Sequence, residues 1–177
     1  MNTDISAIPV DLLNSVPQDR WLDANNIRTG QFLTVAMVTT AFILNRWELV
    51  AFQCGVFVLG VISSDALDIY SWIYKGFLKP LGILKPDMRI DNVEAYRFAN
   101  MIGMTVSGLA SYLIYSGEYA IIGWGLVGVM MGLGSLAFFG WCAGCFMYYM
   151  IQKTGIKGFF GHKRVANIFP GVRAPRP

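Results

Sequence analysis

Uncharged apolar runs, separated by short charged breaks, organise this chain. Thr29–Leu44 (TGQFLTVAMVTTAFIL) and Leu49–Ser64 (LVAFQCGVFVLGVISS) flank the break NRWE; Phe98–Tyr115 is a third run, and Tyr119–Gln152 holds no charged residue. A helical crossing of a bilayer takes about 20 residues, so the first two runs need flanking residues or a thinned bilayer to span. Their separation by a tight turn predicts an antiparallel helical hairpin. The last run, as one helix, would be about 50 Å long against a hydrocarbon core of about 30 Å. It must tilt and overhang the bilayer, or break near its glycines.

The fold expected is all-α: a polytopic membrane protein with four transmembrane helices, at about 29–45, 49–64, 98–115 and 119–152, forming two antiparallel hairpins. Residues 1–28 form a polar N-terminal extension, broken by Pro9 and Pro17, with a short interfacial helix around Val10–Val16. Residues 65–97 form a connector. Within it, Ala66–Leu84 mixes aromatic residues with Asp68, Lys75 and Lys79 and is interrupted by Pro80. Such an amphipathic segment lies in the membrane interface or packs as an ordinary helix on the end of the bundle. Lys85–Arg97 reads as hydrophilic connector and 153–177 as a basic tail.

Composition agrees with this pattern. The 177 residues are 55% hydrophobic and 14% charged, with a mean hydropathy of +0.49, where a soluble domain carries about 25% charged residues. The N-terminal residues lack a basic segment followed by an apolar core, so the first spanning segment is expected to direct insertion itself.

Charge orients the chain. With four crossings, Arg20, Arg28, Lys75, Lys79, Lys85, Arg89 and Arg97 share a side with the tail residues Lys153, Lys157, Lys163, Arg164, Arg173 and Arg176; only Arg46 of the 14 basic residues lies opposite. Lys and Arg accumulate in cytoplasmic loops, so both termini are expected in the cytoplasm. Lys153, Lys157, Lys163 and Arg164, with Phe159 and Phe160, could hold an anionic leaflet. Membrane lipids are expected partners and nucleic acid is not.

The glycines mark close approaches. Gly128/Gly132 and Gly140/Gly144 are each spaced i, i+4, and Gly103 with Ser107 offers a similar pair; this spacing lets helix backbones approach in lipid. The contacts would lie within the bundle or be reserved for another subunit or a second copy. No Asp, Glu, Lys or Arg interrupts the four runs, which argues against a proton-driven transporter. Asp65 and Asp68, with Ser63 and Ser64, read as residues at a helix end. Met101, Met104, Met130, Met131, Met147, Tyr148 and Tyr149 read as packing rather than pigment contacts.

The candidate chemistry is the stretch GWCAGCFMYYM, in which Cys142 and Cys145 are three apart. At that spacing both sulfurs face one side of a helix. Cys54 would sit far from them in depth, and His162 is the only histidine, so one chain supplies no four-ligand metal site. Three readings stay open: a redox pair exchanging with a thioredoxin-like partner, a small polarizable pair in a helix contact, or a ligand pair completed in an oligomer. On a single last helix the pair would lie near the C-terminal end, where the dipole opposes a thiolate.

From about Trp21 to Lys153 the chain resembles the bacterial membrane proteins grouped as domain of unknown function 4395 (DUF4395). The likeness rests on LDANNIRTGQFL before the first helix, EAYRFAN at Glu94–Asn100, and WCAGCFMYYM, whose glycine between the cysteines is matched too. The resemblance implies four transmembrane helices and no established activity. Some relatives neighbour or are fused to thioredoxin-like or rhodanese-like proteins, which associates the family with thiols. Two functions are therefore expected in competition: an accessory or scaffolding subunit of a larger membrane assembly, and a membrane thiol–disulfide protein using Cys142 and Cys145. The sequence names no cofactor.

Overall fold

The computed structural model describes residues 21–62, 69–82, 84–153 and 170–173. The helix expected at Val10–Val16, the Ser63/Ser64/Asp65/Asp68 cluster and Lys157, Lys163 and Arg164 lie outside these residues.

Three helices are long and apolar enough to cross a membrane: α1 (Ala24–Leu44), α4 (Val93–Ser116) and α5 (Ala120–Phe139). α2 (Trp47–Ile62) is apolar but has 16 residues. Two polar starts differ from expectation. α1 begins at Ala24 because Asp23 caps it, its carboxylate accepting from the Asn25 amide at 3.0 Å. α4 begins at Val93 because the Asn92 side chain accepts from the Glu94 amide at 3.2 Å. Residues 93–97 are thus helix rather than connector. Hydropathy registers only the lipid-facing part of a helix, whereas capping decides where the backbone starts to coil.

The run 119–152 takes the second of its two expected courses: it is not one helix but breaks at a glycine. α5 ends at Phe139, Gly140 takes φ 112°, and α6 (Ala143–Lys153) begins after it. A left-handed glycine is a common helix stop, because a side chain there would be strained. Here its amide donates back to the Ala137 carbonyl.

α1 and α2 turn back through Asn45 and Arg46 and pack together. α2 packs on α4, α4 on α5, and α5 on α1, which closes a four-helix ring, while α6 lies against α4. The interior is lined by small and medium side chains: Val38, Ala41, Val50, Ala110, Val127 and Met130. Large apolar side chains point outward, to 89% exposure at Ile121 and 83% at Phe139. In water such a surface would aggregate; in lipid it is the solvated face, and small residues inside allow close packing. Aromatic residues gather at the α1–α2 turn end, where Trp47 stacks on Tyr115 at 4.9 Å and Tyr119 is exposed.

One polar group of the interior went unnoticed in the sequence. Gln53 is fully buried; its side-chain amide donates to Thr34 Oγ1 at 3.3 Å and its carbonyl accepts from Tyr70 Oη at 2.6 Å. Tyr70 belongs to the short α3 (Ile69–Ile73), which runs on as a π-helical turn, Tyr74–Leu78. Tyr70, Ser71 and Tyr74 face the bundle, while Trp72, Phe77, Lys75 and Lys79 are exposed. One face of this part of the connector packs on α1, and the other exposes aromatic and lysine side chains.

A short antiparallel ladder pairs β1 (Trp21–Asp23) with β2 (Met88–Ile90). Asp23 fastens it. Besides capping α1, its carboxylate accepts from the Asp87 amide at 3.1 Å and from Tyr74 Oη at 2.8 Å. Asn25 donates to the Lys85 carbonyl at 2.7 Å and Asn26 to Ser71 Oγ at 2.8 Å. LDANN is thus a clasp that ties the connector to the base of α1.

Candidate thiol site

The break at Gly140 changes the position of the cysteines. Instead of lying near the end of a long helix, Cys142 is the N-cap of α6. Its carbonyl accepts the first intrahelical bond, from Phe146 at 2.9 Å, and its sulfur accepts the Cys145 amide at 3.3 Å. The helix dipole that was expected to oppose a thiolate now favours one. A hydrogen bond from the Cys145 side chain lowers the Cys142 pKa most; burial works against it, and the Cys145 and Gly144 amides add to the lowering. Asp91 opposes the shift more weakly. Free amides, a second thiol and a helix start are what activate a nucleophilic cysteine.

Cys145 is buried in a small cluster with Ala95, Tyr148 and Tyr149, and its thiol reaches the Ala95 carbonyl at 3.8 Å. Tyr148 donates to Glu94 and packs on Phe98 at 5.8 Å. Burial, then the Glu94 hydrogen bond, raises the Tyr148 pKa, so its hydroxyl stays a donor. Gly144 makes this possible. A Cβ there would lie 2.6 Å from Ala99 Cβ and 2.7 Å from Ala99 Cα. EAYRFAN and WCAGC are therefore the two sides of one helix contact, and the glycine between the cysteines lets α6 sit on α4.

A third segment completes the site. Residues 170–173 return across the start of α6, where Trp141 pairs antiparallel with Val172. The Cys142 amide donates to the Gly171 carbonyl at 2.8 Å and the Arg173 amide to the Gly140 carbonyl at 2.9 Å. Nothing in the hydropathy pattern marks this return, since it depends on backbone groups rather than side chains.

The other sequence candidates separate. A Cβ at Gly103 would lie 2.9 Å from the Phe57 ring, and Ser107 is fully buried, bonded to the Gly103 carbonyl at 2.6 Å, so both sit in the α2–α4 contact. Gly140 and Gly144 fall on different helices and are not a packing pair: the first ends α5 and the second seats α6. Among the described residues nothing lies within 4 Å of a Cβ added at Gly128 or Gly132. Tight contacts come instead from Gly123 against Ala110 and Ile114, Gly134 against Val35 and Gly60 against Asn100. Lys153 is exposed at the end of α6. Cys54 donates to the Met104 carbonyl at 3.4 Å in the α2–α4 contact. Among the described residues no group of three His, Cys, Asp or Glu could hold a metal ion. A shallow cavity of about 220 Å³ between Val61, Glu94, Arg97, Phe98, Met101 and Tyr148 adjoins the α4–α6 contact, and neither sulfur lines it.

Neither a curated protein nor a solved structure matches the chain. A family profile does, described as a domain of unknown function (DUF4395), over residues 22–153. That span runs from the Asp23 clasp through the thiol pair to the last residue of α6. The chain belongs to the DUF4395 family.

Proposed function

We propose that this chain is a four-crossing protein of the bacterial inner membrane that exchanges thiols and disulfides through Cys142 and Cys145 at its cytoplasmic face. The observation that carries the reading is the Cys145 amide donating to Cys142 Sγ at the start of α6, beside a second thiol. α2 makes the fourth crossing, its 16 apolar residues matched by a locally thinned bilayer. Orientation rests on charge: Arg28, Lys75, Lys79, Lys85, Arg89, Arg97, Lys153 and Arg173 stand at the end of the bundle that bears the thiols, and Arg46 at the other. A cytoplasmic pair is kept reduced by the cell's thiol systems, so the resting form is the dithiol.

The exchange runs as follows in chemical terms. Cys142 thiolate attacks one sulfur of a partner's disulfide; that S–S bond breaks and the departing sulfur takes up a proton. Cys145 gives up its proton and attacks Cys142 Sγ, closing the Cys142–Cys145 bond and releasing the partner's second cysteine as a thiol. Two electrons pass from the pair to the partner disulfide; of the two protons its thiols take up, Cys145 gives up one and water supplies the other, which Cys142 had released on ionising. A dithiol protein of the thioredoxin class restores the pair by the reverse steps.

The test is a trap. In Cys145→Ser, the mixed disulfide on Cys142 cannot resolve, so a reductant-sensitive adduct accumulates in membranes and is lost in Cys142→Ser. Absence of any adduct in Cys145→Ser, with the protein inserted and Cys142 free to alkylate, sinks the reading.

A second reading has its own support. Gly125, Gly128 and Gly132 lie along α5 with open space beside each. Such a stripe suits a helix of another subunit or a second copy, in which case the chain is an accessory or scaffolding subunit. Retention of its partners in mild detergent after both cysteines are changed to serine would favour that reading.

A further inference from the structure

The backbone that leads into the thiol helix, Gly140–Cys142, is crossed by a piece of the chain's own backbone. The contact is strand-like: one donor and one acceptor of the Gly140–Cys142 edge are taken by Gly171 and Arg173, with Trp141 opposite Val172. Gly171 (φ 86°) lies so close that a Cβ would stand 2.8 Å from the Cys142 carbonyl oxygen and 2.9 Å from Phe146 Cβ. Arg173 holds the far end, donating to the Ala137 carbonyl at the close of α5 at 3.3 Å and to Gln31 at 2.9 Å.

Two features make this contact displaceable. Both backbone bonds use groups that every polypeptide carries, so an extended segment of another protein can replace them without matched side chains. The Arg173 latch is also costly. It is a partly buried guanidinium whose Nη1 has no partner among the described residues, and it is desolvated and repelled by Arg28 and Arg89. Desolvation and this repulsion outweigh the attraction of Tyr96 and Asp87 and offset part of what the Arg173 hydrogen bonds contribute.

We infer that the Gly140–Cys142 edge is the docking strand for the extended, cysteine-bearing segment of a redox partner, and that Pro170–Arg173 occupies it in cis. The inference rests on the thiol–disulfide reading and adds how the partner is held. A segment paired with this edge runs beside the Cys142 sulfur, so its cysteine is delivered to the thiolate by backbone geometry rather than by a side-chain pocket. Binding in trans and docking of the tail exclude each other.

The experiment uses the full chain in lipid nanodiscs, with Cys54→Ala to leave only the pair. Three probes each carry a disulfide to thionitrobenzoate: a short extended peptide through its single cysteine, the same peptide N-methylated at alternate residues, and Ellman's reagent. Attack by Cys142 joins its sulfur to the peptide cysteine (or, with Ellman's reagent, to one thionitrobenzoate half) and releases coloured thionitrobenzoate, which is read directly. Gly171→Val displaces the tail by collision, and Arg173→Ala removes its latch without adding bulk. Each variant is expected to speed the peptide reaction about tenfold, the worth of one to two net hydrogen bonds, and Ellman's reagent less than about twofold. The N-methylated peptide loses the gain. An unchanged peptide rate in both variants overturns strand docking, as does equal acceleration of all three probes, which would make the tail a simple cover. Failure of Cys142 to release thionitrobenzoate from any probe in any variant overturns the thiol reading itself, and the docking inference with it.

Discussion

The amide of Cys145 points at the sulfur of Cys142 across 3.3 Å, with the Cys145 thiol beside it. The folded arrangement thus favours the ionised form of Cys142. Its alkylation by iodoacetamide should follow a titration whose midpoint lies below that of a free thiol, about 8.5. The sign follows: the thiolate is retained as pH falls from 8.5 towards the shifted pKa and is lost below it. The same lowering stabilises the fold above the unfolded pKa and is withdrawn as pH falls through the folded one. A midpoint equal to that of the protein unfolded in detergent would refute the activation of this sulfur.

Gly144 and Gly128 should respond unequally to alanine. At Gly144 the added methyl meets the Cα and Cβ of Ala99 under 3 Å, and neither atom can rotate aside. Overpacking of this kind costs about 1–3 kcal/mol, so Gly144→Ala should lower the unfolding temperature in detergent and slow oxidation of the pair. At Gly128 nothing lies within 4 Å, and Gly128→Ala should change monomer stability by less than about 0.5 kcal/mol. Equal effects would mean that α6 does not seat on α4 as described.

Tyr70→Phe should expose the dependence of the bundle on its buried amide. The change leaves the Gln53 side-chain carbonyl, buried in the bundle, without its 2.6 Å donor. A stranded buried acceptor costs about 1–3 kcal/mol. Gln53→Leu in the same chain removes the group that is stranded, so the double variant should be less destabilised than the two single losses added together. Strict additivity in this double-mutant cycle would show that the two residues do not communicate.

Asp23→Ala removes a cap and two further bonds, to the Asp87 amide and Tyr74. The cap alone is worth about 0.5–2 kcal/mol. Proteolysis of the connector in oriented vesicles should become faster, because the connector loses two of its side-chain ties to the base of α1. Burial first, and then the hydrogen bond to Asp23, hold the Tyr74 pKa above its ordinary value, so the clasp contributes fully below about pH 10 and weakens only as pH rises beyond it. An unchanged cleavage rate would refute the clasp.

Orientation can be read with one reagent. A membrane-impermeant maleimide should leave Cys142 unlabelled in intact spheroplasts and label it in inverted vesicles. Labelling from the outside would reverse the proposed topology and place the thiols in an oxidising compartment.

Composition and run length were sufficient for the helical, membrane-compatible class of this protein, because a backbone in lipid is satisfied only in helices or closed barrels, and uncharged runs of 16 residues or more are too long for barrel strands. The motifs LDANN, EAYRFAN and WCAGC likewise carried the family, and each proves to sit at a contact. Tertiary structure alone decided what those motifs do. Hydropathy cannot distinguish a continuous helix from two helices broken at Gly140, since both hide the same apolar residues; the break depends on a backbone angle that only glycine takes easily. That single angle moves Cys142 from the unfavourable end of a dipole to the favourable one. Likewise, i, i+4 spacing marked Gly128 and Gly132 as readily as Gly103 and Ser107, but which small residues meet a neighbour depends on how each helix is rotated in the bundle. The return of Gly171 and Arg173 over the thiols was least legible of all, because its bonds are made by backbone atoms that every sequence shares.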